Sequence, residues 1–387
     1  MHKAKVILGT ATPSLESYHN AKTGKYGLVE LSERYKGLKL PQVLCADVKR
    51  ERKLKNMNSH FSNFLLEQMD TVLQKGEQII LFQNRRGYTP LWSCEICNWT
   101  PKCNYCDVSL TYHKLANHLK CHYCGFTTNP VGSCPSCGSS RLNMIGFGTE
   151  KIEDELALIF KEKVIKRLDL DTTRSKNAYE EILTDFDNGL IDILIGTQMV
   201  TKGLDFNNVF LVGILDADML LNRPDFRAYE RSYQLMSQVS GRAGRLKKQG
   251  KVIVQTGDPD HWVIQLVSDH DYKGFYDNEI IERENFNYPP FYKLISLTLK
   301  HKNLNLVEVA SKELAISLRD VFKERVIGPE FPLIQKIKNQ YLKEIKLKIE
   351  RAAPEQQVKG KISEIIDQFY KKVEFKSVKI VIDVDPL

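Results

Sequence analysis

The sequence predicts an α/β fold built on a parallel sheet, with a cysteine-rich insertion and a small α+β domain near the carboxyl end. Short apolar runs alternate with amphipathic segments through residue 255, which is typical of a parallel sheet covered by helices on both faces. Eight of the nine cysteines fall between Cys94 and Cys137 and interrupt that alternation. From residue 291 onward the pattern changes, so we expect a separate domain there.

The first predicted elements surround a short turn. Lys5–Gly9 is predicted to be a strand, and the next helix is expected to begin with Thr12 as N-cap and Pro13 at its first position. Residues 27–48 predict a short strand, a polar loop and a second strand. Phe61–Leu73 has apolar residues at helical spacing and predicts an amphipathic helix.

The later elements follow from the same patterns. Thr149 is expected to cap a helix, and Gly189 fits the position just after another. The predicted strands of the sheet are Gln78–Phe82, Lys166–Leu170, Ile191–Gly196, Val209–Leu215 and Val252–Gln255, and Phe226–Val239 is a predicted helix. In the last region we expect strands at Leu294–Leu299, Lys343–Glu350 and Val378–Val384, and helices at Leu306–Phe322 and Ile362–Tyr370.

The insertion consists of four Cys-x-x-Cys hooks, namely Cys94/Cys97, Cys103/Cys106, Cys121/Cys124 and Cys134/Cys137. Two such hooks complete a tetrahedral four-cysteine zinc site, so eight thiolates predict two Zn²⁺ per chain. The middle hooks are separated by 14 residues, close to zinc-ribbon spacing, which favours a nested pairing of inner with inner and outer with outer. An interleaved pairing stays possible. A disulfide framework is disfavoured because the flanking chain is typical of a cytoplasmic enzyme.

Composition gives weaker indications. The net charge of +8 and pI near 8.8 weakly favour a polyanionic partner. No apolar run approaches the ~18 residues that a membrane span needs, so we expect a cytoplasmic protein without a membrane partner. The lysine-rich run Lys336–Lys348 is interpreted either as a strand with a basic face toward phosphates or as a solvated edge.

Two stretches of the predicted sheet region indicate chemistry. Gly196–Asp205 directly follows a buried strand, and its hydroxyls, lysine and main-chain amides suit phosphates at the carboxyl edge of the sheet. Asp205 is placed to accept a hydrogen bond from a ribose hydroxyl. In the second stretch, Gln238–Arg245, the two arginines are three residues apart and share a face if they are helical. Paired arginines suit a nucleoside triphosphate, since they spread over charge that develops in phosphoryl transfer.

These stretches resemble motifs of the superfamily 2 helicases. Gly9–Ser14 resembles motif III, Phe82–Tyr88 motif IV, Gly196–Asp205 motif V and Gln238–Arg245 motif VI. An eight-cysteine insertion between motifs IV and V resembles the PriA family of replication-restart helicases. The resemblance implies that the parallel sheet is RecA-like helicase lobe 2.

The resemblance also implies roles for individual residues. Members of the family move 3′ to 5′ on DNA using ATP with Mg²⁺. Motif VI implies that Arg242 and Arg245, with Gln238, contact ATP phosphates across the lobe interface. Motif V implies nucleotide binding and coupling to DNA by Thr197, Lys202, Gly203 and Asp205, and motif III implies that Thr10 and Thr12 link hydrolysis to unwinding.

The implied partners are forked and single-stranded DNA, single-strand-binding protein and primosome proteins. The zinc pairing of the family is the nested one: Cys94, Cys97, Cys134 and Cys137 for the first zinc, and Cys103, Cys106, Cys121 and Cys124 for the second. The implied role of the family is to restart stalled replication forks and to initiate primosome assembly.

The departures from the family pattern predict a partial chain. No Gly-x-x-x-x-Gly-Lys-Ser/Thr occurs, and no acidic motif II follows a strand, so we expect no ATP hydrolysis by the chain alone. The predicted domains are the end of lobe 1 (1–48), lobe 2 (49–93 and 140–285), the two-zinc insertion (94–139) and a C-terminal α+β domain (286–387).

Two other functions stay open on the sequence. One is a non-enzymatic, zinc-dependent DNA-binding or adaptor protein that reuses a helicase lobe. The other is a different superfamily 2 motor, which the zinc insertion disfavours.

Overall fold

The computed structural model describes residues 5–31, 39–83, 91–94, 96–97, 99–113, 117–121, 123–145, 148–169, 172–173, 176–201, 206–244 and 249–386. The chain forms two compact units. Unit 1 comprises Met1–Gly87 and Phe147–Ile280, and unit 2 comprises Tyr88–Gly146 and Ile281–Leu387. Among the described residues, none of the helices is both long enough and apolar enough to span a bilayer.

The helices of the described residues are, in chain order, α1 (Leu15–Lys22), α2 (Val48–Lys53), α3 (Asn63–Leu73), α4 (Thr149–Ile159), α5 (Lys176–Asp187), α6 (Asp218–Leu221), α7 (Ala228–Ser240), α8 (Trp262–Ser268), α9 (Tyr272–Asn285), α10 (Leu304–Phe322) and α11 (Glu355–Lys371).

The strands are β1 (Gln42–Asp47), β2 (Met57–Asn58), β3 (Phe61–Ser62), β4 (Gln78–Phe82), β5 (Leu91–Cys94), β6 (Thr111–His113), β7 (His118–Lys120), β8 (Thr127–Thr128), β9 (Leu142–Ile145), β10 (Ile165–Leu168), β11 (Ile193–Gly196), β12 (Val209–Ile214), β13 (Lys251–Thr256), β14 (Tyr292–His301), β15 (Val326–Glu330), β16 (Lys336–Ile337), β17 (Gln340–Glu350) and β18 (Lys379–Val384).

Unit 1 is built on a parallel sheet with the strand order β1-β13-β12-β4-β11-β10. Alternate side chains of the central strand β4 enter different apolar cores, because successive residues of a strand point to opposite faces. Ile80 and Phe82 join one core with Tyr233 of α7, and Ile79 and Leu81 join the other with α3 and α4. Both faces of the sheet are therefore covered, and the predicted α/β fold is confirmed.

The amino-terminal part of unit 1 differs from the prediction. Residues 5–10 form no strand, and Val6, Ile7 and Leu8 are exposed, since no described strand of unit 1 pairs with them. The short strand expected after residue 27 is also missing from the described residues. Helix α1 begins at Leu15, because Ser14 acts as N-cap and its Oγ accepts the N–H of Ser17 at 3.2 Å.

Unit 2 contains two antiparallel sheets. The cysteine-rich insertion has the strand order β8-β7-β6-β5-β9, and β5 pairs along its whole length with β9. The C-terminal domain has the order β15-β17-β14-β18, and α10 and α11 pack on one face of that sheet. This is the small domain of mixed strands and helices that the sequence predicts.

The lysine-rich run of the C-terminal domain forms a tight hairpin between β16 and β17. Lys336 pairs with Tyr341 and Ile337 with Gln340, so the turn consists of Lys338 and Asn339 alone. Both turn residues have positive φ, 49° and 61°, as a type I′ hairpin turn requires.

Candidate zinc and nucleotide-coupling sites

All four Cys-x-x-Cys hooks close with the same main-chain hydrogen bond. The N–H of the first cysteine donates to the carbonyl five residues later: Cys94 to Trp99 at 2.9 Å, Cys103 to Val108 at 2.9 Å, Cys121 to Phe126 at 2.8 Å and Cys134 to Ser139 at 2.8 Å. In the third and fourth hooks a glycine with positive φ, Gly125 or Gly138, tightens the turn. Each hook is therefore a turn that holds two sulfurs on one side.

The hooks associate in the nested arrangement. The first cysteine site contains Cys94, Cys97, Cys134 and Cys137, and the second contains Cys103, Cys106, Cys121 and Cys124; within each site the Sγ atoms lie within 4.8 Å of one another. Three Sγ pairs, Cys94–Cys137, Cys97–Cys134 and Cys103–Cys124, are 3.5 Å apart. A zinc tetrahedron with Zn–S bonds of about 2.3 Å has edges of about 3.8 Å. The two sites fit two zinc ions.

The two sites differ in exposure. Cys97 and Cys137 of the first cysteine site are exposed. Three cysteines of the second site are buried, and they pack with Leu110 and Leu119 in a small apolar core. The second site therefore also organises the apolar core of the insertion.

The local environment gives individual cysteine thiols different pKa values. The main-chain N–H of Cys97 lowers the pKa of Cys94 to about 7. Burial instead raises the pKa of Cys103, and raises that of Cys106 to about 12. Zinc binds thiolates, so metal binding at the second site is coupled to the release of protons from these buried thiols.

Elemental analysis of the purified chain is expected to give two zinc ions per chain, because each four-cysteine site holds one. Replacing Cys97 and Cys137 together by serine should lower the value to one. Cys45→Ser, in β1 of unit 1, is the matched control and should leave two. A folded wild-type chain without metal would contradict the assignment.

The segment that resembles motif V begins where β11 ends. Gly196 is the last residue of β11, and a Cβ at this position would lie 2.1 Å from Cγ1 of Val200, so the close packing requires glycine. Thr197 follows, half-buried, and a 3₁₀ turn covers Gln198–Thr201. The three remaining predicted residues, Lys202, Gly203 and Asp205, lie outside the described residues.

The motif IV segment reaches the same sheet edge. Gln83 is buried, and its N–H donates to the carbonyl of Gly196 at 3.0 Å. The rest of this segment, residues 84–88, lies outside the described part of the chain.

The segment that resembles motif VI leaves the end of α7. The helix ends at Ser240 and Arg242 lies in the following turn, so the helical arrangement that would place both arginines on one face is not present at Arg242. Gly244 has φ +68°, and its N–H donates to the carbonyl of Val209 at 2.9 Å. This bond holds the turn against β12. Arg245 lies outside the described residues.

The segment that resembles motif III runs antiparallel along α7. The Oγ1 of Thr12 accepts from Nε2 of Gln238 at 3.2 Å, and the carbonyl of Pro13 accepts from Nε2 of Gln234 at 3.1 Å. Thr12 is buried, and its own N–H donates to Oγ1 of Thr10 at 3.1 Å. The predicted N-cap residue Thr12 thus contacts α7 instead of capping α1.

A buried ion cluster fastens α1 to the start of α7, and the sequence reasoning missed it. Oε1 of Glu230 accepts the N–H of Leu15 at 2.9 Å, and Oε2 lies 3.5 Å from the guanidinium of Arg227. Arg227 also binds Glu16 of α1. The sequence signal for this cluster is the oppositely charged pair Arg227 and Glu230, three residues apart at the start of the predicted helix Phe226–Val239.

The motif V segment begins at the carboxyl edge of the sheet, and the motif VI turn lies at the amino edge. Gly196 is level with Phe82 and therefore at the carboxyl edge of the parallel strands. Val209, which binds the motif VI turn, is level with Gln78 at the amino edge. Helix α7 contacts the 3₁₀ turn Gln198–Thr201 and leads into the motif VI turn, so one helix links the two segments.

Comparison with known proteins agrees with these features. The family model for the PriA DNA helicase Cys-rich region (CRR) domain matches residues 103–128, the helicase conserved C-terminal domain matches residues 142–247, and the primosomal protein N C-terminal domain matches residues 284–387. A solved structure of RecG bound to a three-way DNA junction has a TM-score of 0.34 at 12% identity, covering 64% of this chain and 23% of that one. A similarity this distant carries no argument.

Two relatives match much more closely. Replication restart protein PriA of Bacillus subtilis (strain 168) is 41% identical over 388 residues, covering 100% of this chain and 48% of that protein. Its counterpart in Synechocystis sp. is 40% identical over 351 residues, covering 88% of this chain and 42% of that protein. The chain spans about half the length of these curated relatives. It belongs to the PriA family of replication restart helicases and corresponds to a C-terminal portion of the family's longer members.

Proposed function

We propose that this chain is the C-terminal part of an ATP-dependent DNA helicase that moves 3′ to 5′, restarts stalled replication forks and initiates primosome assembly. Family membership supports the general activity. The hydrogen bond between Thr12 and Gln238 carries the mechanistic part of the proposal, because it joins the motif III segment directly to the motif VI helix. A movement of either segment is transmitted to the other.

At the nucleotide end, Arg242 and Arg245, with Gln238, contact the phosphates of ATP. Planar guanidinium groups suit the charge that develops on a transferring phosphoryl group. These residues supply only half of a site, since the sequence contains no phosphate-binding Gly-x-x-x-x-Gly-Lys-Ser/Thr loop. ATP with Mg²⁺ is therefore held mainly by an upstream lobe in the complete protein, and the arginines complete the site.

At the DNA end, Thr197, Lys202, Gly203 and Asp205, which follow β11 in the sequence, couple nucleotide state to DNA. Helix α7 packs between the two ends, and Thr10 and Thr12 pass the change on toward lobe 1. Residues 49–93 and 140–285 belong to lobe 2, residues 94–139 to the zinc module and residues 286–387 to the C-terminal domain. Of residues 1–48, predicted as the end of lobe 1, Gln42–Asp47 form β1 and pair with β13 in the parallel sheet, so the sheet of lobe 2 begins before residue 49.

The proposed partners are forked and single-stranded DNA, single-strand-binding protein and primosome proteins. The net charge of +8 supports a polyanionic partner. The two zinc ions fold a module whose own apolar core is small, and the module contributes to unwinding and to the assembly of partners.

The purified chain is expected to show no ATP turnover, with or without forked DNA, while it retains both zinc ions. Without the phosphate loop and the Mg²⁺ carboxylates, neither positioning nor charge neutralisation is complete. A coupled phosphate-release assay measures this, and a chain joined to an upstream ATP-binding lobe is the positive control. DNA-stimulated turnover by the isolated chain would contradict the proposal.

The lack of a phosphate-binding loop in the sequence also favours a second candidate function, a zinc-dependent DNA-binding adaptor without catalysis. This function predicts DNA binding that weakens with salt and is unchanged by ATP. Joining the chain to an upstream lobe separates the two: the helicase gains ATP-dependent strand separation, and the adaptor does not.

A further inference from the structure

The hairpin turn of the C-terminal domain lies directly against the second cysteine site. The N–H of Lys338 donates to Sγ of Cys106 at 3.2 Å. The N–H of Asn339 donates to the carbonyl of Tyr105 at 2.6 Å, and the N–H of Asp107 donates to the carbonyl of Lys336 at 2.8 Å. Three hydrogen bonds, each with a main-chain donor, thus join three consecutive residues of the second hook to the hairpin.

The N–H group that donates to Sγ of Cys106 comes from a distant part of the chain, whereas the N–H groups that donate to Cys103 and Cys124 are local. Sγ of Cys103 accepts from the N–H of Tyr105, and Sγ of Cys124 accepts from the N–H of Phe126, so each of these bonds closes within its own hook. Lys338 is 232 residues from Cys106 in the chain. Main-chain N–H donors to a ligating thiolate orient it and stabilise its charge, and removing such outer contacts weakens metal binding.

Packing reinforces the hydrogen bonds. The side chain of Ile337 packs against the apolar core that Leu110 and Leu119 form with the cysteines of the second site. The turn is held in a conformation that favours glycine or asparagine, yet its first residue is Lys338 with φ 49°. Backbone conformations of this kind persist where surrounding contacts determine them, and here those contacts are with the second hook.

We propose that the second cysteine site anchors the C-terminal domain to the insertion: zinc binding by Cys103, Cys106, Cys121 and Cys124 and docking of the Lys336–Tyr341 hairpin stabilise each other. The hairpin therefore detaches when this site loses its metal, and an undocked hairpin speeds metal loss. The first cysteine site has no part in this linkage. Linkage is reciprocal, so either event can be measured through the other.

The first test measures zinc release to the chelator 4-(2-pyridylazo)resorcinol from full chains that carry Cys97→Ser and Cys137→Ser, in which the second site alone holds metal. Adding Ile337→Asp is expected to speed release about tenfold, the lower end of the effect of outer contacts on metal sites. Leu333→Asp is the matched control, because Leu333 belongs to the same domain and is 81% exposed. Lys338→Gly keeps the N–H and suits positive φ, so its release rate should stay at the parental value or fall. Equal rates for Ile337→Asp and Leu333→Asp would overturn the proposal.

The second test measures hydrogen exchange of the hairpin amides, with neither ATP nor DNA present, so its outcome is independent of helicase activity. Stripping the second site, by Cys103→Ser with Cys121→Ser, should cost the amides of Lys338 and Asn339 their protection from exchange, because docking of the hairpin then loses the support of the metal. Cys97→Ser with Cys137→Ser should leave exchange at the wild-type rate. Unchanged protection after loss of the second site, or equal loss of protection after loss of the first, would overturn the linkage.

Discussion

Replacing Arg242 by lysine in a complete protein that carries the upstream ATP-binding lobe is expected to lower ATP turnover about 1,000-fold, within the range for arginines that contact a transferring phosphoryl group. Lysine keeps the charge but loses the planar, forked donor set, and its shorter reach matters because the turn that holds Arg242 is fixed. The N–H of Gly244 binds the start of β12, and a Cβ at Gly250 would lie 2.4 Å from the carbonyl carbon of Ala243, so this turn has little room to move.

Arg231→Lys is the control for this substitution. Arg231 lies on α7 and pairs with Asp225, and both side chains are one-third exposed. Steady-state turnover with saturating forked DNA distinguishes the two variants. Turnover of Arg242→Lys within threefold of wild type would remove Arg242 from the proposed nucleotide site, and the motif VI turn would then have only a structural role.

Arg227→Met is expected to lower the free energy of unfolding of unit 1 by ~3–5 kcal/mol, because it leaves a buried carboxylate without its cation. The side chains of Arg227 and Glu230 are 8% and 4% exposed. Methionine fills much of the same volume, so the loss is mainly electrostatic. Glu230 also accepts the first N–H of α1, and the start of that helix is expected to loosen together with the ion cluster.

Denaturant unfolding measures this effect if the signal comes from unit 1 alone. Trp262, in α8, reports on unit 1, and Trp92 and Trp99 of unit 2 are replaced by phenylalanine in all chains compared. Arg231→Met, in α7 and at an ion pair that is one-third exposed, should lower the free energy of unfolding by at most ~1 kcal/mol. Equal losses for the two methionine variants would mean that the buried cluster contributes no more than a surface ion pair.

Local sequence patterns were sufficient to predict the elements whose burial is evident from their composition. Gln78–Phe82 was predicted residue for residue, because a continuous apolar run bounded by polar residues fits a central parallel strand. The geometry of each of the four hooks likewise follows from the Cys-x-x-Cys spacing itself. The distance between the two middle hooks favours the nested grouping but leaves an interleaved one open, and the structure has the nested grouping.

The sequence did not reveal features that depend on distant parts of the chain. Lys5–Gly9 has strand composition, but a strand also needs a hydrogen-bonded neighbour, and composition does not supply one. Thr12 has the chemistry of an N-cap and instead accepts from Gln238, more than 200 residues away. The contact between Lys338 and Cys106 has no local signature at all, since it uses a main-chain N–H that every residue but proline has.

The pairing of β5 with β9 has a consequence for how such a chain tolerates its insertion. Leu91 lies opposite Ile145 and Cys94 opposite Leu142, so the two chain segments that bound the hooks are side by side. Everything between them is a closed loop whose ends are already joined, and the entropy of closing a loop grows only slowly with its length. Residues can therefore be gained or lost between the hooks at little cost to the parallel sheet, which makes the insertion a place where members of this family can acquire new surfaces without refolding that sheet.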